Sequence, residues 1–215
     1  MFYNLHTHAS SGKADVLEIV NQYPYEFDEN IKSYSIGIHP WYINNGRLNR
    51  DLAVIEEKLQ EQGCLALGEC GLDKRIETPF EVQKEVFEKQ LLLAKKYKKP
   101  VILHCVAAYQ EIIEIKNALQ PGVPMVIHGF SKNIQVAQQL LTNGFYLSFG
   151  KYLLRNPELS EVFKAVPDDR FFLETDTIQE TISQVYEKAA QIKSIDMDKL
   201  KYNIITNFKT VFTNG

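Results

Sequence analysis

Two histidines one residue apart, His6-Thr7-His8, stand near the start of a 215-residue chain. The other three, His39, His104 and His128, each fall at the end of a short apolar run. Side chains two apart on a strand point the same way, so His6 and His8 can grip one ion at about 2.0–2.1 Å, with Asn4 on the same face. Glu69 ends the run Leu65-Ala66-Leu67. Alternation turns it inward with Leu65 and Leu67, where a carboxylate is costly unless it is paired or holds a cation. His104 follows Pro100-Val101-Ile102-Leu103, and His128 follows Val123-Pro124-Met125-Val126-Ile127. Each is a single polar residue closing a buried run, and imidazole suits zinc and related ions. In Leu173-Glu174-Thr175-Asp176, Glu174 and Asp176 share a face. Asp176 is the candidate ligand or base, and Glu174 the partner for an imidazole N–H. The plainer readings are hydrogen-bonded core histidines, a salt bridge for Glu69, and a helix cap at Asp176.

The elements that must position these residues are strands and helices in alternation. Seven strands are expected, over residues 1–6, 33–39, 64–69, 100–104, 123–128, 145–149 and 170–176, from their β-branched and apolar runs. Amphipathic helices are expected over 52–62, 80–97, 108–119, 133–141, 181–195 and 198–212. Alternation of this kind requires parallel strands with crossover helices. The first turn, His6-Thr7-His8-Ala9-Ser10, lacks a glycine-rich phosphate cradle, which favours a barrel over a doubly wound sheet. The fold expected is α/β, a compact or distorted TIM-like (β/α) barrel of seven or eight parallel strands. Regular barrels typically take about 250 residues, and no eighth strand is visible. All five histidines then fall at the C-terminal ends of strands, the face on which such barrels build their sites. Without a linker, low-complexity tract or internal repeat, residues 1–215 read as one domain.

With 24 basic and 27 acidic side chains, the net charge of −3 excludes non-specific wrapping of nucleic acid by a basic surface. Three cysteines, odd in number and set in apolar runs, point away from a disulfide scaffold and towards a reducing compartment. The start lacks a basic leader and no stretch approaches a membrane span, so a cytoplasmic protein is expected. Lys95, Lys96, Lys98 and Lys99 precede the fourth strand candidate and so belong to the opposite end of the barrel.

In order, His6-x-His8, Gly37-Ile38-His39-Pro40, Gly68-Glu69-Cys70-Gly71-Leu72-Asp73, Ile102-Leu103-His104, Ile127-His128-Gly129-Phe130-Ser131 and Leu173-Glu174-Thr175-Asp176 resemble the motifs of the TatD family of metal-dependent hydrolases. Gln83, Phe87, Gln90, Leu91 and Ala94, with Thr206-Asn207 and Phe212, fit that likeness too. The resemblance implies a TIM-like barrel, one or two divalent ions and hydrolysis of phosphodiesters, commonly DNA bound transiently. It carries metal roles onto His6, His8, Glu69, His104, His128 and Asp176, and places His39 in the substrate pocket beside them. Three departures touch substrate binding more than metal binding. Asn4 stands where the family usually has an acid, Val106 where it often has an arginine, and the stretch after Asp176 is short.

As a hypothesis, Glu69 is shared by two ions, with His6, His8 and Asp176 on one and His104 and His128 on the other. Glu69 and Asp176 are the catalytic carboxylates of this scheme, Asp176 accepting a proton from the attacking water. Mixed imidazole and carboxylate donors admit Zn, Mg, Mn, Fe or Ni. Phosphate contacts could come from Lys13, Lys74, Arg75, Lys132, Lys151 or Arg155. A cysteine nucleophile is disfavoured, because Cys105 and His104, like Cys70 and Glu69, are strand neighbours on opposite faces. The opening Asn4 to Ser10 also resembles polymerase-and-histidinol-phosphatase-type phosphoesterases, but the chain lacks the later histidines those need. A hydrolase of another ester or amide, or a barrel that only binds, are the remaining alternatives.

Overall fold

The computed structural model describes residues 1–213. Eight strands lie in the hydrogen-bonded order β1-β2-β3-β4-β5-β6-β7-β8. They are β1 (Phe2–Thr7), β2 (Val16–Gln22), β3 (Tyr34–Ile36), β4 (Cys64–Asp73), β5 (Val101–Val106), β6 (Met125–Ile127), β7 (Tyr146–Phe149) and β8 (Phe171–Leu173). Just past β8, the Asp176 amide donates to the His6 carbonyl at 2.9 Å and Asp176 pairs in parallel with Thr7, so the sheet is a nearly closed parallel barrel. The helices are α1 (Leu48–Lys58), α2 (Phe80–Tyr97), α3 (Tyr109–Leu119), α4 (Ile134–Thr142), α5 (Lys151–Arg155), α6 (Leu159–Ala165), α7 (Ile182–Lys193) and α8 (Met197–Phe208).

The strand that the sequence hid is β2. Residues 8–15 join it to β1 and residues 23–33 join it to β3, and neither connection contains a helix. Alternation of strand and helix therefore fails at the two places where it was needed. The loss of two crossover helices also explains how an eight-stranded barrel fits within 215 residues. The short helices α5 and α6 were missed as well, being too brief to display a 3.6-residue period.

By compactness the chain forms two units, residues 1–20 with 127–213, and residues 21–126, the divisions falling inside β2 and β6. In the second unit, α2 buries Gln83, Val86, Phe87, Gln90, Leu91 and Ala94, spaced three and four apart on one face. Each of its two glutamines grips a stretch of backbone. Gln90 accepts from the Ile38 amide at 2.8 Å and donates to the Ile38 carbonyl at 3.1 Å. Gln83 does the same for Asp73, at 2.8 and 3.0 Å. Gly71, at φ 144°, lets β4 close on β5, because a Cβ there would collide with the His104 carbonyl oxygen.

In the first unit, edge-on contacts link Phe130 to Phe149, Phe149 to Phe163 and Phe163 to Phe171, with centroids 5.6, 4.9 and 4.8 Å apart. From α7 the buried Tyr186 hydroxyl donates to the Tyr3 carbonyl at 3.0 Å and accepts from the Tyr3 amide. From α8, Asn207 donates to the carbonyls of Asp168 and Phe171, at 2.9 and 3.0 Å, and so fixes the entry to β8. Among the described residues no helix is long and apolar enough to cross a membrane.

Candidate metal centre

In the first unit, His6 lies within β1, His8 just past it, and Asp176 just past β8. Their ligand atoms lie within 4.8 Å of one another. His8 Nε2 is 3.4 Å and His6 Nε2 3.9 Å from Asp176 Oδ1. Donor atoms bound at about 2.0–2.2 Å to one ion stand roughly 3.3–4.4 Å apart, so two imidazoles and a carboxylate at these separations fit a divalent cation. Asp176 adopts φ 53°, in the left-handed region that aspartate tolerates better than most residues. Its backbone is pinned on both sides, donating to the His6 carbonyl at 2.9 Å and accepting from the His8 amide at 3.2 Å. It does not cap a helix. That role belongs to Thr181, which forms a capping box with Gln184 after the short connection 177–180.

His128 follows β6 directly, its ring centroid 4.4 Å from that of His6. Its Nδ1 faces Glu174 Oε1 at 3.4 Å, and the same oxygen accepts from the Gly129 amide at 2.8 Å. Glu174 is thus the imidazole partner that its spacing from Asp176 suggested. Burial would push its carboxyl up, but the hydrogen bond and charge of His128, with His6 nearby, hold it below the usual range. Asn4 takes a scaffolding position. Its Nδ2 donates to Thr175 Oγ1 at 2.8 Å, and its Oδ1 accepts from the Thr175 amide at 3.0 Å.

In the second unit, His39, Glu69 and His104 form another group whose ligand atoms lie within 4.8 Å of one another. Glu69 Oε1 is 3.2 Å from His39 Nε2 and 2.9 Å from His104 Nδ1. The inward position of Glu69 is not reached by strict alternation, because the β4–β5 register shifts between Leu67 and Cys70. Its backbone amide donates to Asn21 Oδ1 at 2.7 Å. His39 is expected beside the ions for substrate contact, and its ligand atoms stand in one group with those of Glu69 and His104.

Sequence reasoning missed Asp73 and Trp41. Asp73 Oδ2 lies 3.4 Å from His104 Nε2 and accepts from the Trp41 indole N–H at 2.8 Å. Burial opposes ionisation of Asp73, but Trp41, the Arg75 amide and His104 outweigh it and hold its carboxyl below the usual range. Asp73 closes the run Glu69-Cys70-Gly71-Leu72-Asp73, and a second acid at the end of one long apolar strand was the available signal. Of the basic residues considered for phosphate, Lys74 pairs with Glu111, and Arg155 pairs with Glu180 at 2.9 Å. Lys13 lines a cavity of about 360 Å³ that also holds His8 and Asp176. Lys95 and Lys99 cap the carbonyls of Leu119 and Cys64 instead.

A parallel (β/α) barrel with imidazole and carboxylate groups at its strand ends defines a metal-dependent hydrolase of the TIM-barrel class. The chain belongs to the TatD family, residues 3–213 matching the family model described as TatD related DNase. A Bacillus subtilis (strain 168) protein named as an uncharacterized metal-dependent hydrolase is 29% identical over 213 residues, spanning 91% of this chain and 81% of its own length. A Cronobacter turicensis protein named 3'-5' ssDNA/RNA exonuclease TatD is 32% identical over 146 residues, 65% of this chain and 55% of its own. The crystal structure of a TatD homologue from Escherichia coli K12 superposes with a TM-score of 0.85 at 21% identity, over 100% of this chain and 98% of that one, which establishes the shared fold.

Proposed function

We propose that this protein hydrolyses phosphodiester bonds of nucleic acid, DNA foremost, with divalent ions held by His6, His8 and Asp176 and by Glu69 with His39 and His104. The observation that carries this reading is the pair of imidazole–carboxylate groups, each with its ligand atoms within 4.8 Å of one another. His128, braced by Glu174, completes the proposed ligand set. Divalent ions bound there supply an activated water and stabilise charge on the leaving oxygen. Asp176 is the proposed proton acceptor, since its carboxylate is partly open to solvent while its backbone is fixed by His6 and His8. The Cronobacter relative's name supports single-stranded nucleic acid as the substrate. Three buried cysteines set in apolar runs suit the reducing cytoplasm, where we place the protein.

Elemental analysis of protein purified without chelator, together with hydrolysis of end-labelled single-stranded DNA, tests the proposal. One or two ions per chain are expected. Glu69→Ala is expected to lower hydrolysis at least about 100-fold, as loss of an ion that orients and polarises would. The same variant loses both ions if Glu69 serves both, and one if it serves only the His39 and His104 group. Metal-free protein with undiminished hydrolysis would sink the reading.

A further inference from the structure

The second unit exposes aromatic surface beside the His39, Glu69 and His104 group. Among the described residues, Trp41 is 56% exposed, and Tyr42 and Tyr25 are each 40% exposed. Trp41 is not loose. Its indole N–H is tied to Asp73 Oδ2 at 2.8 Å and its backbone amide donates to His39 Nδ1 at 3.1 Å. Its ring centroid lies 5.1 Å from that of His39 and 6.0 Å from that of His104. Tyr42 stands 5.6 Å from His39, and packs against Tyr23 and Tyr25 at 5.2 and 6.2 Å. Arg47 lies over the Tyr25 ring at 4.1 Å, donates to the Tyr42 carbonyl at 2.8 Å and pairs with the buried Asp51 at 2.8 Å, bracing the cluster from its edge.

We infer that Trp41, with Tyr42 beside it, is a stacking platform for an unpaired nucleobase of the strand whose phosphodiester reaches the His39, Glu69 and His104 group. This rests on the phosphodiesterase reading above and adds to it the feature of the substrate that is held. Exposed rings whose orientation is fixed from below offer a flat π surface with little further entropy to lose on binding. Every base has a matching face, so such surfaces bind single strands with little sequence preference. A duplex keeps its bases stacked on each other and gains nothing from the platform. The platform therefore selects frayed ends and single strands.

Trp41 is the chain's only tryptophan, so its fluorescence reads the platform directly. The wild-type protein is titrated with a short phosphorothioate oligothymidylate and with an abasic oligomer of equal length, binding being followed independently by anisotropy of a labelled end. The thymidylate is expected to quench Trp41 saturably and the abasic oligomer to leave it unchanged. Trp41→Ala is expected to weaken thymidylate binding and raise KM for single-stranded DNA on the order of 10- to 100-fold, the loss of one base–aromatic stack, with kcat changed far less. Trp41→Phe, which keeps a ring without the bond to Asp73, is expected to recover most of that affinity. Should Trp41→Ala not fold, the wild-type titration and Trp41→Phe decide. Equal quenching by both oligomers, or anisotropy binding with no quenching, overturns the platform while leaving the hydrolase reading intact. Base-dependent quenching without hydrolysis of any phosphodiester supports the platform and sinks the hydrolase reading.

Discussion

Glu174 is a buried carboxylate that braces one of the proposed ligands, His128. Its Oε1 receives the Gly129 amide at 2.8 Å and faces His128 Nδ1 at 3.4 Å, which sets the ring orientation and leaves Nε2 for a ligand role. Glu174→Gln keeps an acceptor for Gly129 but removes the charge that favours a protonated Nδ1. Ion affinity measured by competition with a chromophoric chelator is expected to fall about 10- to 100-fold, the usual cost of losing such a partner. Unchanged affinity would place His128 outside the ligand set. The grouping of these residues was legible because histidine and carboxylate at the end of an apolar run are expensive without a purpose. Trp41 was not legible, because a tryptophan after His39-Pro40 reads as core until its exposure is known.

Helix α2 acts as a scaffold through two amides rather than through apolar packing alone. Gln90 satisfies both the amide and the carbonyl of Ile38, immediately before His39, and it is almost fully buried. Gln90→Leu strands both backbone groups without leaving a large cavity. Urea unfolding is expected to show a loss of about 2 kcal/mol or more, from a penalty of about 1–3 kcal/mol per unsatisfied group. An effect below about 0.5 kcal/mol would mean that the strand holds its place without the clamp. The full span of α2, Phe80–Tyr97, was readable from the sequence because its buried positions recur at helical spacing over five turns. β2 was not readable, although Val16-Leu17-Glu18-Ile19-Val20 is rich in β-branched residues. The expectation that a helix must separate parallel strands outweighed that composition, and the two helix-free connections on either side defeat the expectation. Asn4 teaches the same lesson from the other direction. Read as a lost acid, it is a two-bond tie to Thr175 that holds the approach to Asp176.

For the molecule as a whole, pH and metal occupancy are the levers on stability that the structure specifies. Burial pushes the Cys64 thiol up to about 12 from its ordinary 9.0, so the unfolded chain releases this proton first. Above about pH 9 the unfolded state therefore binds fewer protons than the folded one, and stability must fall as pH rises towards the folded value. Tyr34 and Tyr186, also raised by burial, extend the loss to higher pH. Denaturant titrations from pH 8 to 11 are expected to show this decline, and Cys64→Ala to flatten it; parallel slopes for the two proteins would refute the assignment. Metal acts in the opposite direction. Each compact unit contains two imidazoles and a carboxylate that an ion can draw together, and an ion that binds only the folded chain stabilises it by mass action. At an ion concentration 100 times Kd this is about 2.7 kcal/mol per site, which for a chain of this size raises Tm by roughly 5–10 °C. Calorimetry of metal-loaded and chelated protein is expected to show that shift. His6→Ala removes a proposed ligand from one unit and His39→Ala from the other. Each variant should lose part of the gain, whereas a melting temperature indifferent to chelator would mean that the groups are held by the protein alone.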